Sequence, residues 1–336
     1  MKRLELLVVQ IDEAKRMIEV DRIPQLRLAY ILLDNAAEVI LHRSTKGMLD
    51  HKQFLSTLLT QWKSFEAAGF SGDSFRAQID SLEKEVLSKR EIKEIERNFD
   101  AKVAFMISIG QLPNELAPVL KKLHQYRNEI YHRDKLRHDL IRPAVLVYFD
   151  IVCTMLEHYS QFSLAYGSDD DLGPELLRHI EGDRLAAFLF RMDLPKLIAS
   201  RLREELGLDM AVVRNALAAY LIARLGDMAR ELVFIEENLE VSGLMPGDAL
   251  LLVQADLSGS PTLEDIRSRQ YRYSAGDLDR WKDQSLALEE ISDKITMFAK
   301  YASIEDEFEP LEILIKKAAQ AVDREVQLQI DMARGK

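Results

Sequence analysis

Hydrophobic positions recur every three to four residues along most of this chain, which is the period of an amphipathic α-helix. Residues 25–42 show the pattern best, because Leu26, Leu33 and Ile40 return at heptad-like intervals on one face. Further segments with helical periodicity are 2–19, 48–66, 113–132, 144–166, 277–301 and 310–332. We therefore predict an all-α fold, and only 241–262, which contains ALLLVQADLSGSP, makes a strand plausible.

Polar residues interrupt the face of the 25–42 helix at Asp34, Asn35 and Glu38. We interpret them first as a solvated flank of the helix, since polar positions on an amphipathic helix usually face water. The alternative interpretation is that they support a site on a neighbouring helix.

Two segments indicate how the chain is organised. Residues 73–98 are highly charged with apolar residues at helical spacing, which predicts an exposed helical insertion. Residues 167–174, GSDDDLGP, have the glycine, acidic run and proline of a linker. We expect a helical bundle in 1–166, in which Pro143 restarts a helix at 144, and a mostly helical domain of unknown role in 175–336.

Charge is distributed unevenly along this acidic chain, whose formal net charge is −11. Residues 121–142 hold seven basic and three acidic side chains, a local net of +4 that leaves −15 on the remainder. The overall charge argues against indiscriminate coating of nucleic acid, whereas a basic island can concentrate an anionic ligand locally.

The single cysteine, Cys153, lies in the apolar run AVLVYFDIVCTML, so we interpret it as a core residue and not a nucleophile. One cysteine permits no intramolecular disulfide, which suits a reducing compartment. No signal-peptide pattern and no uncharged stretch of bilayer length is recognisable, so we expect a cytoplasmic protein without a membrane partner.

Candidate chemistry is concentrated in LHQYRNEIYHRD, residues 123–134. Arg127 is followed directly by Asn128, and His132 comes five residues after Arg127, at the end of an apolar-periodic helix. A histidine side chain ordinarily titrates near pH 6.5 and can move protons at neutral pH. An arginine stays charged, and its planar fork matches two phosphate oxygens.

The stretch LPNELAPVLKKLHQYRNEIYH resembles the HEPN superfamily, whose mark is an arginine, usually followed by a polar residue, and a histidine after four to six residues. The resemblance covers roughly the first half of the chain, with helices near 25–43, 113–132 and 144–166 as its bundle. Toxin-type members often carry a tyrosine two residues after the histidine, where this chain has Asp134.

The resemblance implies a metal-independent endoribonuclease acting in stress, toxin or antiphage defence. Catalytic roles would fall to Arg127, His132 and Asn128. Expected RNA-binding residues are Lys121, Lys122, His124, Arg133 and Arg137. No metal and no cofactor is expected, and the expected partners are RNA, a second copy of the chain and an antitoxin or other defence protein. The alternatives are an inactive HEPN module that binds RNA or a nucleotide or assembles a complex, and a helical scaffold or regulator.

Helix geometry limits this assignment. Residues five apart on a regular helix point about 140° from each other, at about 100° per residue. Asn128 and His132 share a face, whereas Arg127 and His132 do not. Convergence of the pair therefore requires a distorted helix end or two chains that face each other, and HEPN proteins are generally dimers.

Overall fold

The computed structural model describes residues 2–132, 137–159, 173–180, 194–239 and 241–334. These ranges are helical and contain no strand, which confirms the all-α prediction. The helices are α1 (Lys2–Val20), α2 (Ile23–Ala67), α3 (Asp73–Glu85), α4 (Lys89–Arg97), α5 (Phe99–Ser108), α6 (Leu116–His132), α7 (His138–Glu157), α8 (Pro174–Arg178), α9 (Leu194–Leu206), α10 (Met210–Asn238), α11 (Asp248–Leu252), α12 (Leu263–Ser268), α13 (Ala275–Ala287) and α14 (Lys294–Ala333).

The chain forms two compact units, Met1–Leu208 and Asp209–Lys336. The division lies well after the predicted linker 167–174, of which 167–172 fall outside the described residues. The boundary lies later than the linker because α9 packs against α1 and α7 and so belongs to the first unit. Arg203 of α9 holds this contact, since its Nε donates to Asp150 Oδ1 of α7 at 2.8 Å.

Helix α2 is the centre of the first unit and packs against α1, α5, α6 and α7. It is one helix of 45 residues where the sequence pattern predicted two, at 25–42 and 48–66. The apparent gap contains Gly47, which lowers helix propensity by about 1 kcal/mol relative to alanine but does not interrupt a helix supported by packing.

The charged segment 73–98 forms two helices, α3 and α4, where one was predicted. The second starts at a capping box, in which the Ser88 side chain accepts from the Glu91 N–H and Glu91 accepts from the Ser88 N–H. Both helices are largely exposed, and each has one buried residue, Ile79 in α3 and Ile95 in α4. The segment lies on α2, so it is attached to the bundle.

Helix α7 begins at His138, so the prediction that Pro143 restarts a helix at 144 is wrong. Pro143 lies inside the helix and is buried, as is every residue from there to Leu156. Burial on all sides offsets the lost hydrogen bond of the proline, because packing outweighs propensity in a core helix. Cys153 is buried, as the apolar run predicted.

In the second unit α10 packs along α14, and a buried arginine joins them. Arg224 of α10 donates from Nε to Glu312 Oε1 at 3.1 Å and also pairs with Glu305, both on α14. Residues 241–262 contain the short helix α11 and turns, so the strand suggested there is absent from these described residues. Across the described ranges no single helix is long and apolar enough to cross a membrane, and one interrupted pair, α9 with α10, meets that test jointly by length and composition alone.

Candidate functional site

One flank of helix α6 carries a row of polar and aromatic side chains. The buried side of α6 is mostly apolar and includes Leu116, Leu120 and Leu123. His124, Asn128 and Tyr131 follow at spacings of four and three residues, which places them one above another on the helix surface. This flank lies beside α2, so the polar residues of α2 determine what the motif side chains contact.

Asp34 of α2 is completely buried and contacts three side chains of the site. Its Oδ1 lies 3.0 Å from Nδ1 of His124 and accepts a hydrogen bond from the Tyr148 hydroxyl at 2.7 Å. Its Oδ2 lies 3.2 Å from Nε of Arg127. Asp34 is therefore not part of a solvated flank, and the alternative interpretation, support for a neighbouring site, describes its position.

Tyr148 and Tyr30 fix this arrangement from the core. Burial and then the negative charge of Asp34 raise the pKa of the Tyr148 hydroxyl well above its ordinary value, so the hydroxyl remains a donor to Asp34. Tyr30 donates to the backbone oxygen of Leu123 at 2.9 Å, which ties α6 to α2. The two tyrosine rings pack edge to face with their centroids 5.2 Å apart.

Arg127 is anchored by its neighbours but keeps donors for a ligand. Its Nη1 donates to Asn128 Oδ1 at 3.0 Å, and its guanidinium lies over the Tyr131 ring, 5.1 Å from the centroid. The contact between Nε and Asp34 is an ion pair without hydrogen-bond geometry. Its Nη2 makes no hydrogen bond to the described part of the chain, so that edge of the guanidinium can donate to a phosphate.

His132 is the last residue of α6 and is exposed. The helix is regular up to this residue, so the distortion that would bring His132 to Arg127 within one chain does not occur. No hydrogen bond joins the two side chains among the described residues, and the ring of His132 contacts Tyr131 with centroids 5.0 Å apart. Arg27 of α2 donates to the backbone oxygen of Ile130 at 3.0 Å and so fixes this helix end.

The expected RNA-binding residues fall in different environments. Lys121 is exposed and lies 4.0 Å from Asp100, whereas Lys122 is 3% exposed, with its Nζ 5.4 Å from the Tyr126 centroid. Arg137 makes a two-fold ion pair with the buried Glu129, with N–O distances of 3.0 and 3.2 Å. Burial of the Lys122 side chain and the ion pair of Arg137 make these two charges less accessible than that of Lys121, and RNA contacts by Lys122 and Arg137 stay a prediction. Arg133 lies outside the described residues.

Asp34, Glu38 and His124 form a group that could hold a metal ion, with ligand atoms within 4.8 Å of one another. Two contacts compete with a metal for Asp34: the Tyr148 hydroxyl already donates to Oδ1, and the Arg127 guanidinium already balances the carboxylate charge. The geometry is that of an ion-pair network, in which the carboxylate orients His124 and Arg127.

Beside this network lies an open cleft of about 460 Å³. Residues from α2, α5, α6 and the end of α4 line it: Asn35, Glu38, Val39, His42, Arg97, Phe99, Lys102 and His124. His124 therefore connects two features, with Nδ1 against Asp34 and its ring in the cleft wall. The cleft is the part of the site that sequence reasoning missed; the available signal was the polar interruption at Asp34, Asn35 and Glu38, which was interpreted first as a solvated flank.

Comparisons of the chain with protein-family models, with curated proteins and with solved structures found no match. The resemblance to the HEPN superfamily stays a prediction that rests on the motif from Arg127 to His132.

Proposed function

We propose that the first unit is a metal-independent endoribonuclease of the HEPN type. The observation that carries the proposal is the position of Arg127 on the α6 flank, where buried Asp34 and neighbouring Asn128 hold the guanidinium and leave Nη2 unpartnered by the described residues. An arginine held in this way can stabilise charge that develops on a phosphate, since a preorganised donor needs no reorientation during the reaction.

RNA supplies its own nucleophile in this mechanism. The 2′-oxygen attacks the adjacent phosphorus, the P–O bond to the 5′-oxygen breaks, and a histidine moves the protons. Arg127 contacts the non-bridging oxygens, and His132 is the proposed proton carrier because it is exposed and completes the motif. The products are a 2′,3′-cyclic phosphate and a 5′-hydroxyl, and DNA lacks the nucleophile.

Two chains are part of this proposal, because α6 is regular through His132 and holds Arg127 and His132 apart. The resemblance leads to the expectation that the helices near 113–132 and 144–166 form the interface of the dimer. Residues 144–156 are buried inside the protomer, so this part of α7 cannot contact a second copy without unpacking the core. The proposed interface therefore uses the exposed end of α6, where Tyr131 is 58% exposed.

The second candidate function is an inactive HEPN-type module that binds RNA or a nucleotide. The separation of Arg127 from His132 within the chain favours it, and so does the cleft beside His124. A role in toxin or antiphage defence, with an antitoxin or another defence protein as partner, belongs to either candidate through the resemblance alone.

Incubation of the purified protein with total RNA in EDTA tests the proposal, with an Arg127→Ala/His132→Ala variant beside it. Cleavage that resists EDTA and is lost in the variant supports the ribonuclease, whereas RNA binding without cleavage supports the binding module. End-group analysis follows, and 3′-hydroxyl with 5′-phosphate ends, or cleavage that requires magnesium, would exclude the mechanism.

A further inference from the structure

The cleft beside His124 combines permanent cations with aromatic rings. Arg97 and Lys102 line it, and neither makes an ion pair with any described residue. Most other cations of the site are already paired, as Arg127 is with Asp34 and Arg137 is with Glu129. Uncompensated cations at a concave surface raise the local concentration of anions, so phosphate is the chemistry that this part of the wall favours.

Phe99 and His124 provide a flat aromatic surface in the same cleft. Their rings are stacked with centroids 4.1 Å apart and an angle of 9° between the planes. The Asp34 carboxylate fixes the orientation of the imidazole in this pair, because its Oδ1 lies 3.0 Å from Nδ1 of His124. An aromatic pair held in place by a buried partner is a platform on which a nucleobase can stack.

The remaining lining residues match the polar edges of a nucleoside. Asn35, Glu38 and His42 lie at spacings of three and four residues on α2, so they share one face. Amide and carboxylate oxygens accept hydrogen bonds from ribose hydroxyls and exocyclic amines. The volume of about 460 Å³ falls within the range of small-ligand sites and accommodates one nucleotide.

We propose that this cleft binds one nucleotide unit of a single-stranded RNA, with the phosphate at Arg97 and Lys102 and the base on the Phe99–His124 pair. The proposal rests on the proposed function in taking RNA as the ligand. It goes further in placing a nucleotide that flanks the scissile phosphate, because His124 is one helical turn from Arg127 and Asn128 on the same flank. A free nucleotide has the same chemistry, and the experiment distinguishes the two sources.

Binding is measured without cleavage, so that the site is tested separately from catalysis. The probes are a fluorescent 2′-O-methyl RNA decamer, which has no free 2′-hydroxyl, and a nucleoside monophosphate. The variants are Arg97→Ala, Lys102→Ala and Phe99→Leu, where leucine keeps apolar volume but removes the ring. Lys89→Ala is the matched control, since Lys89 is exposed on the same helix as Arg97 and does not line the cleft. Circular dichroism establishes that each variant keeps its helix content.

Loss of either cation is expected to reduce the slope of log Kd against log salt concentration by up to about 0.7, the value for one phosphate contact with a single strand. Phe99→Leu is expected to weaken binding at least about fivefold while the salt slope stays unchanged, because stacking is not electrostatic. Lys89→Ala should leave both quantities as in the wild type.

Wild-type Kd and salt slope in all three cleft variants would overturn the proposal. If the monophosphate binds as tightly as the decamer and shows the same losses, the site stands and its occupant is a free nucleotide. If the cleft variants lose decamer binding but the wild type cleaves no RNA, the nucleotide site is supported and the ribonuclease proposal is contradicted. If the cleft variants cleave RNA and bind the decamer as the wild type does, the nucleotide site is contradicted and the ribonuclease proposal is supported.

Discussion

Nδ1 of His124 lies 3.0 Å from Oδ1 of Asp34, so a completely buried carboxylate on α2 orients an imidazole on α6. A carboxylate accepts, which places the proton of a neutral ring on Nδ1 and leaves Nε2 as the acceptor. His132, the histidine of the motif, has no such partner among the described residues and is exposed. The site thus contains two histidines in different environments, and mutation separates their roles.

His132→Ala is expected to abolish RNA turnover and leave RNA affinity nearly unchanged, because a neutral imidazole contributes little to binding a polyanion. His124→Ala is expected to weaken RNA binding, since it removes one ring of the stacked pair with Phe99. Single-turnover cleavage and equilibrium binding of both variants check this. The reverse pattern, turnover abolished by His124→Ala with binding intact, would assign proton transfer to His124. His138→Ala, which changes a third and exposed histidine nearby, should behave as the wild type.

Asp34→Asn tests whether the carboxylate positions Arg127. The substitution keeps the shape and an acceptor for the Tyr148 hydroxyl but removes the charge that lies 3.2 Å from Arg127 Nε. We expect RNA cleavage to fall about 10- to 100-fold, because misplaced catalytic groups cost rates of this order. Asp100→Asn is the control, since Asp100 pairs only at 4.0 Å with the exposed Lys121. Equal cleavage rates in the two variants would contradict a positioning role.

A homodimer that joins through the exposed end of α6 is expected in solution. Tyr131→Glu should shift the equilibrium toward the monomer, because a new charge in an interface must be desolvated. Sedimentation velocity at micromolar concentrations measures this, with Phe70→Glu, a change at another exposed aromatic residue of the first unit, as control. A wild-type protein that is monomeric and still cleaves RNA would rule out the paired site.

The second unit depends on the buried cation between α10 and α14. Arg224→Ala is expected to lower the free energy of unfolding of this unit by about 3–5 kcal/mol, because it removes the buried cation that pairs with the buried carboxylates of Glu305 and Glu312. Urea unfolding followed by circular dichroism measures the change. Arg230→Ala on the same helix removes an exposed ion pair with Asp227 and should change stability by less than about 1 kcal/mol. A loss of less than about 1 kcal/mol in Arg224→Ala would show that the ion pairs of Arg224 with Glu305 and Glu312 contribute little to stability.

His179, the residue directly after α8, provides a pH dependence whose sign follows from its burial. Burial lowers its pKa, and the carboxylate of Glu205 opposes the shift. The other charged groups around it are Asp12, Arg178, Lys15 and Arg201, and the three cations lower the pKa further. The unfolded chain takes up a proton near pH 6.5 whereas the folded chain does not, so stability is lost as the pH falls below about 6.5.

Urea unfolding at pH 7.5 and at pH 5.5 measures this dependence. The wild type should lose more stability between the two values than His179→Gln does, because glutamine does not titrate. His42→Gln, at an exposed histidine, should keep the wild-type dependence. Identical pH dependence in the wild type and His179→Gln would contradict the assignment.

The helical period of the apolar residues determined the fold class, and it did so because each helix must bury one face. Leu26, Leu33 and Ile40 are buried as their spacing predicted, and Cys153 lies in the core that its apolar run indicated. The order of residues in the motif also determined that Arg127 and His132 diverge, since a regular helix fixes the angle between two positions. These properties are local, so they follow from sequence spacing alone.

Contacts between distant residues were decided only by the tertiary structure. Whether Asp34 faces water or core depends on α6 and α7 packing over it, 90 and 114 residues later in the chain. Lys122 and Arg137 carry the charge expected of an RNA contact. In the folded protein, however, Lys122 lies over the Tyr126 ring and Arg137 forms an ion pair with Glu129. The unit boundary after Leu208 likewise depends on α9 packing back onto α7. A linear pattern records which groups a residue offers, and the packing of helices decides which of those groups remain available to a ligand.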